Sequence, residues 1–230
     1  MSSLVASILI LGGGWFGSFK FRRFCTRTLG KLAKVDILAA FPTQRDAAGD
    51  VTAALEQAAE VSLFVGRGSE LTRATFDGMW NAAGGRIRKI RVLLPDPEMS
   101  GPGSWFADRE NEMAGHDTAY GDNLIAEQVK TNLRYLMGKA AGKPEIEVRV
   151  YDFPHLGRLI ITDKSAFLTT YRGSEHGSAS PCLLFSRSGP LYDFCMRIFD
   201  KAWMKAKPYR LPARPATATR DGHPRTRHRE

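Results

Sequence analysis

Three glycines, Gly12, Gly14 and Gly17, follow the strand-like residues 7–11 in a G-x-G-x-x-G spacing. In a dinucleotide-binding βαβ unit such glycines let a pyrophosphate approach the backbone at a helix N-terminus, where the amide dipoles favour negative charge. That chemistry also asks for an acidic residue near the end of the second strand, to hold a ribose. Here the second strand-like run, residues 35–40, leads into Phe41 and Pro42. The helix after the glycines would carry Phe16, Phe19, Phe21 and Phe24 among Lys20, Arg22 and Arg23, with no small residues to pack it on a sheet. A nucleotide-binding oxidoreductase using this loop stays as an alternative. Cys25, Cys182 and Cys195 are widely spaced and form no C-x-x-C or Cys/His cluster, so they imply neither a disulfide framework nor a zinc site and suit a reducing compartment. No metal and no cofactor is expected.

Charge is placed at the ends of the chain. The net +9 comprises six basic and no acidic residues in 1–34, and eight basic against two acidic residues in 205–230, which leaves −3 for the middle. A mildly acidic body with basic flanks argues against a domain-wide nucleic-acid groove. It favours flanks that touch an anionic surface, either lipid headgroups or, through the tail, nucleic acid.

Residues 1–19 carry no charge, and a basic block starts at Lys20. That length just suffices for a helix to cross a bilayer of roughly 30 Å, and the positive charge after it gives an N-out, C-in anchor. A cleaved signal peptide would carry its charge before the apolar run instead. A buried or peripheral helix is the competing reading.

The remaining pattern alternates strands and helices, then clusters strands. Residues 35–40, 61–65 and 87–94 read as strands. Asp50 is expected to cap a helix running through Leu55, and Ser69 one with Leu71, Phe76, Met79 and Trp80 on a single face. Residues 95–104 read as a Gly/Pro/Ser loop. From Asp122 the longest helical pattern places Leu124, Ile125, Val129, Leu133 and Leu136 on one stripe. Strand-like runs at 146–151, 159–162, 166–171 and 182–185 follow, and then a final helix after Ser188. The expected fold class is α/β, a mixed sheet with helices on both faces. Its parts are a candidate membrane anchor at 1–20, a basic juxtamembrane segment at 21–34, the domain at 35–207 and a disordered basic tail at 208–230.

Within that order, residues 59–65, the "IRKIRVLLPDP" of 87–97, residues 146–152, the "RLIITD" of 158–163 and the "FDKAW" of 199–203 resemble a phospholipase-D-like domain. The likeness covers about three quarters of the chain, and it is closest to small single-copy sensor-like members. Active members carry His-x-Lys-x4-Asp, in which the histidine attacks phosphorus and the lysine holds phosphoryl oxygens. Aligned on Asp163, the lysine position is Arg158 and the histidine position is Leu156, so the motif is degenerate. Arginine still suits a phosphate, whereas leucine cannot attack one. His155 is adjacent, but a one-residue offset within a strand turns a side chain to the opposite face unless a bulge re-aims it. The family's Gly-Ser-x-Asn has its counterpart in Gly173-Ser174-Glu175-His176.

The resemblance thus implies ligand-binding residues Arg158, Asp163, Tyr171, Ser174 and His176, and catalytic residues His155 and His176 only if the protein is active. It implies a homodimer with a shared pocket for an anionic phosphorylated ligand. The leading expectation is a membrane-tethered, catalytically inactive sensor on the cytoplasmic side of a bacterial inner membrane, in signalling or phage defence. An active phosphodiesterase, nuclease or phospholipase, is the alternative.

Overall fold

In the computed structural model, which describes residues 19–115, 123–155, 157–171 and 177–211, eight strands form one mixed sheet. They are β1 (Ile37–Phe41), β2 (Glu60–Phe64), β3 (Lys89–Pro95), β4 (Ile146–Tyr151), β5 (Gly157–Thr162), β6 (Ser165–Thr170), β7 (Cys182–Ser186) and β8 (Lys207–Pro208). Their spatial order is β1-β7-β6-β5-β2-β3-β4-β8. Strands β2, β3 and β4 are parallel neighbours, and every other pairing is antiparallel. Among the described residues the α-helices are α1 (Phe19–Leu32), α2 (Ala48–Glu56), α3 (Ala74–Ala82), α4 (Trp105–Ala114), α5 (Leu124–Ala140) and α6 (Pro190–Lys205).

Alternation along the strands divides the core into two layers. Leu63, Val92 and Ile160 face α2–α5, where they meet Val51, Trp80, Val129 and Leu133. Their neighbours Phe64, Leu93, Leu159 and Ile161 face the other way, onto Cys195, Phe199 and Trp203 of α6. The sheet is apolar on both sides, as its near-continuous apolar runs require, and helices lie on both faces as expected.

Several local expectations are revised. The basic segment 21–34 is largely helical: α1 closes through Gly30, whose carbonyl accepts from the Val35 and Asp36 N–H groups. A Cβ on Gly30 would lie 2.9 Å from the Ile37 backbone, so only glycine allows that approach. Asp50 is not the cap of α2 but sits in its first turn, with Ala47 at the cap position. Ser69 opens a 3-10 turn, Ser69–Thr72, and α3 starts only after Arg73.

Helix α4 was not anticipated, because its sequence WFADRENEMA buries only Phe106, Glu110 and Met113 and offers little apolar period. Ser104 caps it, accepting from the Ala107 N–H. Glu110 of α4 in turn accepts from the Asn123 N–H at 2.9 Å and the Ile125 N–H at 2.5 Å, so one helix caps the next. Most of the candidate anchor, residues 1–18, and the tail from 212 lie outside the described residues, as does the Gly12–Gly17 motif. Among the described residues no helix is long and apolar enough to cross a membrane.

Candidate anion-binding site

Strand β2 leaves the sheet where β5 enters it, since the two run antiparallel with Phe64 opposite Leu159. Loops at that end therefore meet: Val65, Gly66, Arg67 and Gly68 after β2, and the segment through Phe153 and His155 before β5. Gly68 has φ +76°, a conformation that glycine adopts without steric cost, and it directs the chain into the 3-10 turn carrying Glu70. Gly66 sits under the imidazole of His155, and a Cβ there would lie 2.7 Å from His155 Cδ2. Crevices at the carboxyl ends of parallel strands are where open α/β sheets hold ligands. Here the crevice is a cavity of about 60 Å³, lined among others by Arg67, Glu70, Trp105, Arg109, His155 and Tyr171.

The expectation that His155 turns away from Arg158 is corrected by this geometry. Strand alternation does not govern His155, because β5 begins only at Gly157. The ring lies in the cavity wall, 5.3 Å from that of Tyr171 and 4.9 Å from that of Phe64, centroid to centroid. Its Nδ1 is 2.5 Å from the Tyr151 hydroxyl, and its Nε2 has no partner among the described residues. Burial, followed by the charges of Arg158 and Arg109, lowers its pKa to about 3, so the ring is neutral at pH 7.

Which nitrogen bears the remaining proton follows from Tyr151. The phenol has one proton and two groups in reach, His155 Nδ1 at 2.5 Å and the Val65 carbonyl at 3.2 Å. That proton goes to the Val65 carbonyl, which can only accept, so the 2.5 Å contact is made by an Nδ1 that bears the ring proton and donates to the Tyr151 oxygen, which leaves Nε2 as an acceptor towards the cavity.

Arg158 is 1% exposed, on the face of β5 that looks toward α2–α5. Its Nη1 is 3.1 Å from Glu70 Oε1, yet Nε, Nη1 and Nη2 all lack an aligned hydrogen bond among the described residues. The Trp105 Nε1, in the cavity wall that Glu70 also lines, is buried and unpartnered as well. Buried polar groups are nearly always satisfied, so such a cluster calls for an occupant. Both are donors, and buried donors beside a small space suit an anion. Tyr171 adds a phenol whose pKa is raised by burial against the opposing pull of Arg158.

The structure separates the other expected residues. Asp163 is at the far end of β5 and does not belong to this cavity. Its carboxylate accepts from the Ala59 N–H at 2.8 Å and the Glu60 N–H at 3.3 Å, fixing the start of β2. Burial alone would raise its pKa, but these backbone bonds and Lys164 outweigh that and lower it. Leu156, Ser174 and His176 lie outside the described residues. Glu70, Trp105, Tyr151 and the Gly66–Gly68 loop were missed as site residues. The Gly-Arg-Gly after an apolar strand is the one signal that could have found the loop.

No protein-family profile and no curated protein matches the chain. Among solved structures it is similar to TrmBL2, an archaeal chromatin protein, with a TM-score of 0.50 and 11% identity over 90% of this chain. The match spans 66% of that protein, just under two thirds of its length. It also overlaps the phospholipase D family member Nuc from Salmonella typhimurium, at TM-score 0.45 and 11% identity over 71% of this chain and 90% of that one. NucT from Helicobacter pylori overlaps at TM-score 0.44 and 12% identity, over 74% and 98%. Identities this low speak to the arrangement of the sheet and helices alone.

Proposed function

We propose that this chain is a phospholipase-D-like domain that binds a phosphoryl-type anion in the cavity beside Arg158 without cleaving it. The observation that carries the reading is the pair of buried, unpartnered donor groups on Trp105, in the wall of one small cavity, and on Arg158, held against the lining residue Glu70. Phosphate offers several acceptor oxygens and a charge, which matches what these groups lack.

One feature favours binding over hydrolysis. Phosphoryl transfer through a histidine pair needs one imidazolium to hand a proton to the leaving oxygen. With the pKa of His155 near 3, both copies in a homodimer would be neutral at pH 7. The homodimer, the membrane tether at the N-terminus and the cytoplasmic bacterial setting belong to this reading as proposals.

The test is calorimetric titration of the full chain with inorganic phosphate, alongside incubation with bis(p-nitrophenyl) phosphate. We expect saturable phosphate binding and no nitrophenolate release above buffer. Turnover of the diester that falls in His155→Ala would establish the phosphodiesterase alternative instead.

A further inference from the structure

Among the described residues, the face of the sheet opposite Arg158 is incompletely covered. Helix α6 has 16 residues, so it is about 24 Å long and about 10 Å wide. Eight strands at about 4.8 Å spacing extend roughly 38 Å. One helix cannot roof that width, and a groove of about 860 Å³ runs beside it. Its floor is Phe64, Leu159 and Leu168, and its wall is Phe194 and Ile198 of α6.

Along the rim stand Arg197, Lys201 and Lys205. At i, i+4 and i+8 they form one row on α6, and all three are exposed. None is in an ion pair, and no Asp or Glu lines the groove, among the described residues. The acidic Asp200 of the same helix is engaged elsewhere, with Arg91 at 3.0 Å.

We propose that this groove takes the alkyl chain of a single-chain amphiphile whose anionic head sits on the row of Arg197, Lys201 and Lys205. The volume is in the range of sites for small molecules, roughly 300–1,000 Å³, and such sites are mostly apolar with a few placed polar groups. Charge selects this occupant over the others. A second copy docked symmetrically through this face would set two cationic rows side by side, which repels. An uncharged apolar ligand would leave the row unused. The site is separate from the phosphoryl cavity, so either can fail without the other.

The experiment titrates the full chain calorimetrically, below micelle-forming concentrations, with dodecyl phosphate, dodecanoate and dodecanol. Dodecyl phosphate or dodecanoate should bind one to one, and the stronger of the two identifies the head. Dodecanol should bind at least tenfold more weakly. Replacing Arg197, Lys201 and Lys205 together by Gln should weaken the anionic amphiphile at least tenfold. Phe194→Asp, at a side chain already 46% exposed, should abolish binding with an unchanged melting temperature. Arg158→Met should leave amphiphile binding as it is. Absence of saturable binding, dodecanol binding as tightly as the anions, or full affinity in the triple variant would overturn the proposal. So would a concentration-dependent dimer that Phe194→Asp dissociates, since a second copy would then cover the groove.

Discussion

Arg158→Met removes a charge that the fold has buried without aligned partners, and its effects on stability and on binding should have opposite signs. The native side chain is 2% exposed and meets Glu70 at 3.1 Å. Leaving a buried polar group unsatisfied costs about 1–3 kcal/mol, more for a charge. Against that stands the Glu70 contact. The Glu70 side chain is 24% exposed, so water screens the pair to a value near that of surface bridges, about 0–1 kcal/mol.

The empty variant should therefore be more stable than the native protein by about 1–2 kcal/mol, a rise in melting temperature of about 2–8 °C for a chain of this size. Phosphate works in the opposite direction. At a hundredfold excess over Kd it adds about 2.7 kcal/mol to the native protein. Losing one charge-assisted bond of about 1.5–3 kcal/mol cuts affinity about tenfold to hundredfold, so the variant gains little. Thermal unfolding with and without phosphate reads both effects in one assay. If Arg158→Met melts below the native protein without phosphate, and phosphate shifts the two equally, the arginine is a structural strut and the ligand reading fails.

Other perturbations test the walls of the cavity. The folded-state pKa of His155 is depressed from about 6.5 to about 3, so between those values the unfolded chain takes up a proton that the native state refuses. Its contribution to stability is complete above pH 6.5 and is lost as pH falls toward 3, with a slope of up to about 1.4 kcal/mol per pH unit. His155→Gln should flatten that part of a denaturant-monitored pH profile. Gly66→Ala sets a methyl 2.7 Å from the buried imidazole and should destabilise by about 1–3 kcal/mol, with a matching loss of phosphate affinity in titration. Glu110→Gln retains one acceptor for the Asn123 and Ile125 N–H groups but loses the charge. A cost of about 1 kcal/mol should appear as faster hydrogen exchange in the first turn of α5.

The class of fold was written in the order of the residues. Apolar runs such as 61–65 and 159–162 can only be strands buried on both faces, and the stripe of Leu124, Val129, Leu133 and Leu136 can only be a buried helix, because period and length leave few alternatives. Arg158 was legible only through the resemblance, as the residue at the lysine position of a degenerate motif aligned on Asp163.

Position in three dimensions was not legible. Asp163 and Arg158 are five residues apart, but an extended strand carries them to opposite ends of β5 and into unrelated work. His155 looked misplaced by one residue, and only the tertiary start of β5 at Gly157 freed it from strand alternation. Glu70 and Trp105 line one cavity from distant elements, and Tyr151 reaches its wall through His155. No local spacing encodes that convergence, because it arises from sheet order, and sheet order is fixed by which long-range strand pairings bury the most apolar surface.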